Sequence, residues 1–192
     1  ICSAKEDGWQ EEYISQLEET REELKSYDNR LIYADFLETY AALLGKYGYS
    51  HTVDQTIKDK WYDDICSLYN EIIVIAQKYE SPKTCARYLI KYANFLRKEN
   101  QYNELEKKYL DAIKIYREIL ENEVTVTLNK DFAYALRSLS KFYSDYDRIE
   151  DAIKVLEESL NYTEEFEQIT DTLIQLSMRY AEYGDNDKVD AV

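Results

Sequence analysis

Side chains able to do chemistry are sparse in this sequence and poorly spaced for it. Its one histidine, His51, falls between Gly48 and a Thr52–Gln55 pair that reads as a helix start. It could titrate there, but no serine or cysteine is placed to be its nucleophile, so it reads as a turn residue. Carboxylates abound, yet a di-iron helix bundle needs Glu-x-x-His pairs on facing helices, and none is present. Cys2, Cys66 and Cys85 have neither CxxC spacing nor histidine neighbours, which points away from a zinc site and a disulfide framework and towards reduced thiols. Gly-rich phosphate loops, GxSxG elbows and HExxH helices are missing, and four glycines could not build most of them. The expectation is a non-enzymatic chain with no cofactor and no metal.

The elements that hold these side chains follow from composition. Of 192 residues, 45% are hydrophobic, enough for a buried core. Only 4 glycines and 1 proline are available for turns, while good helix formers fill the long segments, so the fold class is all-α. A formal charge of −15 argues against general binding of nucleic acid. No apolar run approaches the ~20 residues that span a bilayer, and the start lacks the basic-then-apolar plan of a signal peptide. We therefore expect no membrane partner and a cytoplasmic location. Ile1 in place of a start methionine, and an end partway through an apparent helix, lead to the expectation of a fragment of a longer protein.

Apolar residues recur at helical steps, as in Leu89, Tyr92, Ala93 and Leu96, and again in Leu105, Tyr109, Ala112, Ile113, Tyr116 and Leu120. Two amphipathic helices joined by a short turn form a hairpin that cannot close a core alone. Three further copies share its plan. Twelve residues separate a small residue of the first helix from the opening apolar position of the second: Ala41 to Val53, Ala93 to Leu105, Ser140 to Ala152 and Ser177 to Val189. A small residue lets the helices approach at their crossing, and any change of turn length would rotate the second stripe away. Gly48 and Gly184 are expected to supply the left-handed residue that ends a helix, with Asn100 and Asp147 in its place elsewhere. Asp147 with Glu150, and Thr52 with Gln55, offer capping boxes, and Ser81–Pro82 reads as a helix start.

In these residues, "ANFLRKENQYNELEKKYLDA" and "SKFYSDYDRIEDAIKVLEES" above all, the chain resembles the tetratricopeptide repeat. The family repeats at about 34 residues, whereas successive hairpins here lie 52, 47 and 37 residues apart. The first surplus is assigned to one long helix carrying Ile57, Trp61, Ile65, Leu68, Tyr69, Ile72, Ala76 and Tyr79. The resemblance implies a right-handed superhelical array of antiparallel helix pairs spanning residues 1–192 as a single repeat domain. Residues 9–26 are expected to form a lone second helix, residues 30–79, 82–121 and 127–164 helix pairs, and residues 167–192 a truncated pair.

The resemblance also turns the first helix of each pair towards a concave groove. On one such helix this brings out Arg87, Lys91, Asn94 and Lys98, and on the next Tyr134, Arg137, Ser138 and Lys141. Both carry basic pairs at i,i+4, a local reversal of sign. Converging Arg, Lys and Asn would suit an acidic or carboxylate-ended peptide, through charged hydrogen bonds and a favourable potential. Ile90 stands where a two-carboxylate clamp of the family would carry a lysine, so that particular ligand is not expected. The functional reading is a protein- or peptide-binding scaffold with partner contacts at Arg87, Lys91, Asn94, Lys98, Tyr134, Arg137 and Lys141. The alternatives are a peptide-sensing domain of a larger bacterial regulator or switch protein, and a scaffold that self-associates.

Overall fold

Apolar stripes at three- and four-residue steps are satisfied by helices that bury one face and leave the other wet. The computed structural model describes residues 3–26, 29–49, 54–98, 102–185 and 188–189, and among them these stripes form eight α-helices and no strand. Contacts gather into two compact units, Ile1–Ser81 and Pro82–Val192.

The first unit holds α1 (Ser3–Lys25), α2 (Arg30–Leu43) and α3 (Gln55–Tyr79), and a π-helical turn, Leu44–Tyr49, continues α2. α2 starts where the Asn29 side chain accepts from the backbone N–H groups of Leu31 and Ile32, donors that a helix start otherwise leaves open. Tyr33, Ala34, Leu37, Tyr40, Ala41 and Leu44 then form one buried face, and α3 contributes Ile65, Leu68, Tyr69, Ile72, Ile73 and Ala76 to the same interior. α3 runs unbroken for 25 residues, which is where the surplus spacing goes. Its stripe is not buried throughout, since Ile57 and Tyr79 are exposed. At 25 residues α3 is longer than the 14-residue α2.

The turn into α3 departs from expectation. Asp54 is the cap, its side chain accepting from the N–H groups of Thr56 and Ile57. Gly48 lies inside the π-helical turn rather than just past an α-helical end. His51, Thr52, Val53, Asn100 and Cys2 lie outside the described residues.

The second unit contains α4 (Pro82–Lys98), α5 (Tyr102–Leu120), α6 (Val126–Asp145), α7 (Ile149–Leu160) and α8 (Phe166–Tyr183), followed by a last helical stretch at residues 188–189. Pro82 opens α4, where its missing N–H has no partner to lose. The twelve-residue pairs Ala93 with Leu105 and Ser140 with Ala152 are buried, as close crossings require. In the last pair Ser177 and Val189 are half-covered, and Val189 packs against the cluster of Ile153, Leu156, Leu176 and Tyr180. Leu120 is only half-buried, because α5 ends there.

α6 is the best-buried helix, with ten buried residues. Phe132 lies 6.1 Å from Tyr116 and 4.7 Å from Tyr162, while Phe142 lies 6.1 Å from Tyr109, ring centroid to centroid. Burying each such ring stabilises by about 1.5–3 kcal/mol, with about 0.5–1.5 kcal/mol more from ring pairing. Two buried hydroxyls are satisfied locally: Ser159 donates to the Leu156 carbonyl and Thr163 to that of Ser159.

Between α6 and α7, Asp147 takes the left-handed backbone with φ 56°, and Gly184 does so after α8 with φ 86°. The expected Asp147–Glu150 capping box is not formed. Arg148 is the N-cap, and its guanidinium, which has no acceptor to offer the first-turn N–H groups, is held by Glu106 and Asp151, each at 2.7 Å, and by the Tyr143 ring.

Candidate functional site

The candidate contact residues lie on α4 and α6, which pack together in the second unit. Two ion pairs tie these helices, Lys83 to Asp131 at 3.0 Å and Arg97 to Asp145 at 3.8 Å. With those two cations partnered across the helix pair, Arg87 and Lys141 stand as exposed positive charges on the same two helices. Lys91 is half-covered, its Nζ 5.9 Å from the Tyr88 ring centroid. The side chain of Lys98 falls outside the described residues.

Asn94 and Tyr134, which the tetratricopeptide resemblance turns towards one groove, meet: Asn94 Nδ2 donates to Tyr134 Oη at 3.3 Å. Tyr134 otherwise presents its ring to solvent, 52% exposed. The other end of Asn94 is committed inward, its Oδ1 accepting from the Tyr109 hydroxyl at 2.6 Å. Burial pushes the Tyr109 hydroxyl well above its ordinary range, so it remains a donor at any physiological pH. Asn94 is therefore a joint between α4, α5 and α6 as well as a surface amide. The Ser138 hydroxyl is spent on the Tyr134 carbonyl at 2.9 Å.

Arg137 differs from its expected state. It is half-buried, donating to Thr163 Oγ1 at 3.4 Å and to Gln168 Oε1 at 3.2 Å. Burial lowers its pKa, against the pull of Asp171, Tyr134 and Glu165. Its guanidinium is occupied by the loop after α7 and the first turn of α8, because residue 137 lies where those segments overlap α6. Among the described residues no group of three His, Cys, Asp or Glu side chains could hold a metal ion. None of the described helices is long and apolar enough to cross a membrane.

No protein-family model matches the chain, and neither does the sequence of any curated protein. Solved structures do match. BtubC (BKLC) from P. vanneervenii superposes with a TM-score of 0.56 at 16% identity, over 94% of this chain and 87% of that one. A kinesin-light-chain-type protein of Podosopora anserina, with nearly identical TPR-like repeats, does so with a TM-score of 0.51 at 14% identity, over 93% and 90%. A single-substitution form of that protein gives 0.52 at the same identity and coverage. The fold is tetratricopeptide-like. In a tetratricopeptide-like chain, α4 with α5 and α6 with α7 are successive helix pairs, so Arg87, Lys91, Asn94, Tyr134 and Lys141 belong to neighbouring first helices. The tie from Asn94 to Tyr109 and the covering of Arg137 escaped the sequence reading. Each depends on a helix phase across a turn, which stripes within one helix do not report.

Proposed function

We propose that this chain is a non-enzymatic interaction module that holds a partner's acidic or carboxylate-ended peptide segment against α4 and α6. The observation that carries the reading is that Arg87 and Lys141 are exposed cations on α4 and α6, and Lys91 a half-exposed one, in a chain of net charge −15. Guanidinium and ammonium groups make stronger hydrogen bonds to carboxylates than neutral donors do, and a local positive field in an acidic protein orients an acidic ligand during encounter. Asn94 and Tyr134 add an amide and an exposed ring, while Arg137 supports the face from beneath and Lys98 extends α4. The proposed setting is cytoplasmic, compatible with the reduced thiols of Cys66 and Cys85.

The test is fluorescence anisotropy with a labelled acidic peptide ending in a free carboxylate, beside its charge-reversed counterpart. The wild-type chain should bind only the acidic peptide, and Arg87→Glu with Lys141→Glu should weaken it by ~10-fold or more, the loss of about 1.4 kcal/mol. Equal binding of both peptides, or no effect of the double substitution, would sink the reading. Arg137 is a poor probe for this purpose, since its change also loosens the α6–α8 contact.

Self-association is the second reading, favoured by α8. Ile174 and Met178 are 54% and 52% exposed, and Ile174 lies 37 residues after Arg137, at the repeat position that a following helix pair covers on α6. Analytical ultracentrifugation across a concentration series decides it: this reading requires oligomers that Ile174→Glu disperses.

A further inference from the structure

α1 is packed unlike the other helices of its unit. α2 buries five residues and α3 seven, whereas none of α1's described side chains, from Glu12 to Lys25, is buried. Ile14, Leu17, Arg21 and Leu24 are half-covered at steps of three and four, while Glu12, Glu18, Glu19, Glu22 and Glu23 face solvent. Of these, the apolar Ile14, Leu17 and Leu24 are only half-covered, so each removes only part of its apolar area from water.

A polar contact ties α1 to the rest of its unit. Arg21 Nη2 donates to Glu71 Oε2 on α3 at 2.6 Å, and the Tyr33 hydroxyl on α2 donates to Glu71 Oε1 at 2.8 Å. One carboxylate therefore clasps α1 and α2 to α3. The clasp is incomplete, because Arg21 Nε is buried with no hydrogen-bond acceptor among the described residues, and an unmet buried donor carries its desolvation cost. Beside the clasp, Glu18 of α1 and Asp64 of α3 both act on the Tyr40 hydroxyl, whose burial is the main cause of its raised pKa. Arg21 acts on the same hydroxyl with the opposite sign.

We propose that α1 is a displaceable strap, opening as a unit while α2 and α3 stay folded and baring the Tyr33–Tyr40 face of α2 beside the Glu71 carboxylate. The bared face fits one kind of occupant: an amphipathic helix with an arginine or lysine for Glu71 and Tyr33, flanked by apolar residues as Leu17 and Leu24 flank Arg21. Charge selects it, because Glu71, once released by Arg21, is a half-buried carboxylate with a cation's place open.

Hydrogen exchange read by mass spectrometry on the full chain tests the strap. In the wild type, amides of α1 should exchange ~10-fold or more faster than those of α3, the signature of a local opening below global unfolding. Arg21→Ala should speed α1 at least ~10-fold further and leave α2 and α3 unchanged. Lys25→Ala, which loses only a pair to Glu22 within α1, should change nothing. Salt near 1 M, where screening reaches within about 3 Å, should act as Arg21→Ala does but more weakly. α1 exchanging in step with α3 in the wild type would overturn the proposal, and so would an Arg21→Ala profile matching wild type. Should circular dichroism show Arg21→Ala to be unfolded, Arg21→Lys keeps the cation, and the wild-type comparison stands by itself. For the occupant, a labelled peptide with the sequence of residues 12–26 is added to the Arg21→Ala chain. It should bind, its Arg21→Glu version should not, and equal behaviour of the two would overturn the charge-selected site.

Discussion

The Asn94 amide accepts from Tyr109 at 2.6 Å and donates to Tyr134 at 3.3 Å, and the Tyr109 ring is fully buried. Removing the amide strands a buried hydroxyl. Asn94→Ala should therefore lower the unfolding free energy by about 1–3 kcal/mol in urea titrations, and adding Tyr109→Phe should recover part of that loss. Lys141→Glu, at an exposed position, should stay within about 0.5 kcal/mol of wild type, so a binding defect at Lys141 would report the surface rather than the fold. The tetratricopeptide resemblance turns Asn94 and Tyr134 towards one groove, and the two side chains meet. The partner of Asn94 fifteen residues on was not legible, because the phase of α5 relative to α4 is set by how two stripes mesh, which neither stripe states alone.

At the scale of the element, the turns carry the clearest sequence signal. Asp147 adopts φ 56°, a backbone where a Cβ is strained and Asp is tolerated better than most. Asp147→Gly should raise the thermal midpoint, a gain of up to about 1 kcal/mol, and Asp147→Val should lower it by about 1–2 kcal/mol. The same residue shows the limit of a local motif. Asp147 and Glu150 have the spacing of a capping box, but α7 starts one residue later, and Arg148 is drawn to Glu106 on α5 at 2.7 Å. The spacing of a capping box does not by itself decide which residue begins the helix.

Across the whole molecule, tyrosine is both filler and titratable group. Tyr33, Tyr40, Tyr69, Tyr143 and Tyr180 are pushed from 10.0 up to about 12, burial being the first cause in each. The folded chain therefore holds these protons more tightly than the unfolded chain does. Their contribution is complete below the ordinary value near 10 and is lost as pH rises towards the folded values. Urea midpoints should fall steeply between about pH 10 and 12, with tyrosinate absorbance rising together with unfolding. A flat stability profile across that window would mean that the rings ionise in place.

Three properties can be read from the order of residues alone: the fold class is all-α, small residues recur twelve positions before the next apolar stripe, and two helical stripes carry i,i+4 basic pairs in an acidic chain. These are local matters of spacing and composition, so one dimension suffices to read them. Three others required the packed helices: Arg137 is covered while Lys141 stays exposed, Asn94 joins three helices, and α1 is held by Arg21 and Glu71, fifty positions apart. Each of those outcomes depends on which helix faces which, and that is settled by packing rather than by any stretch of sequence.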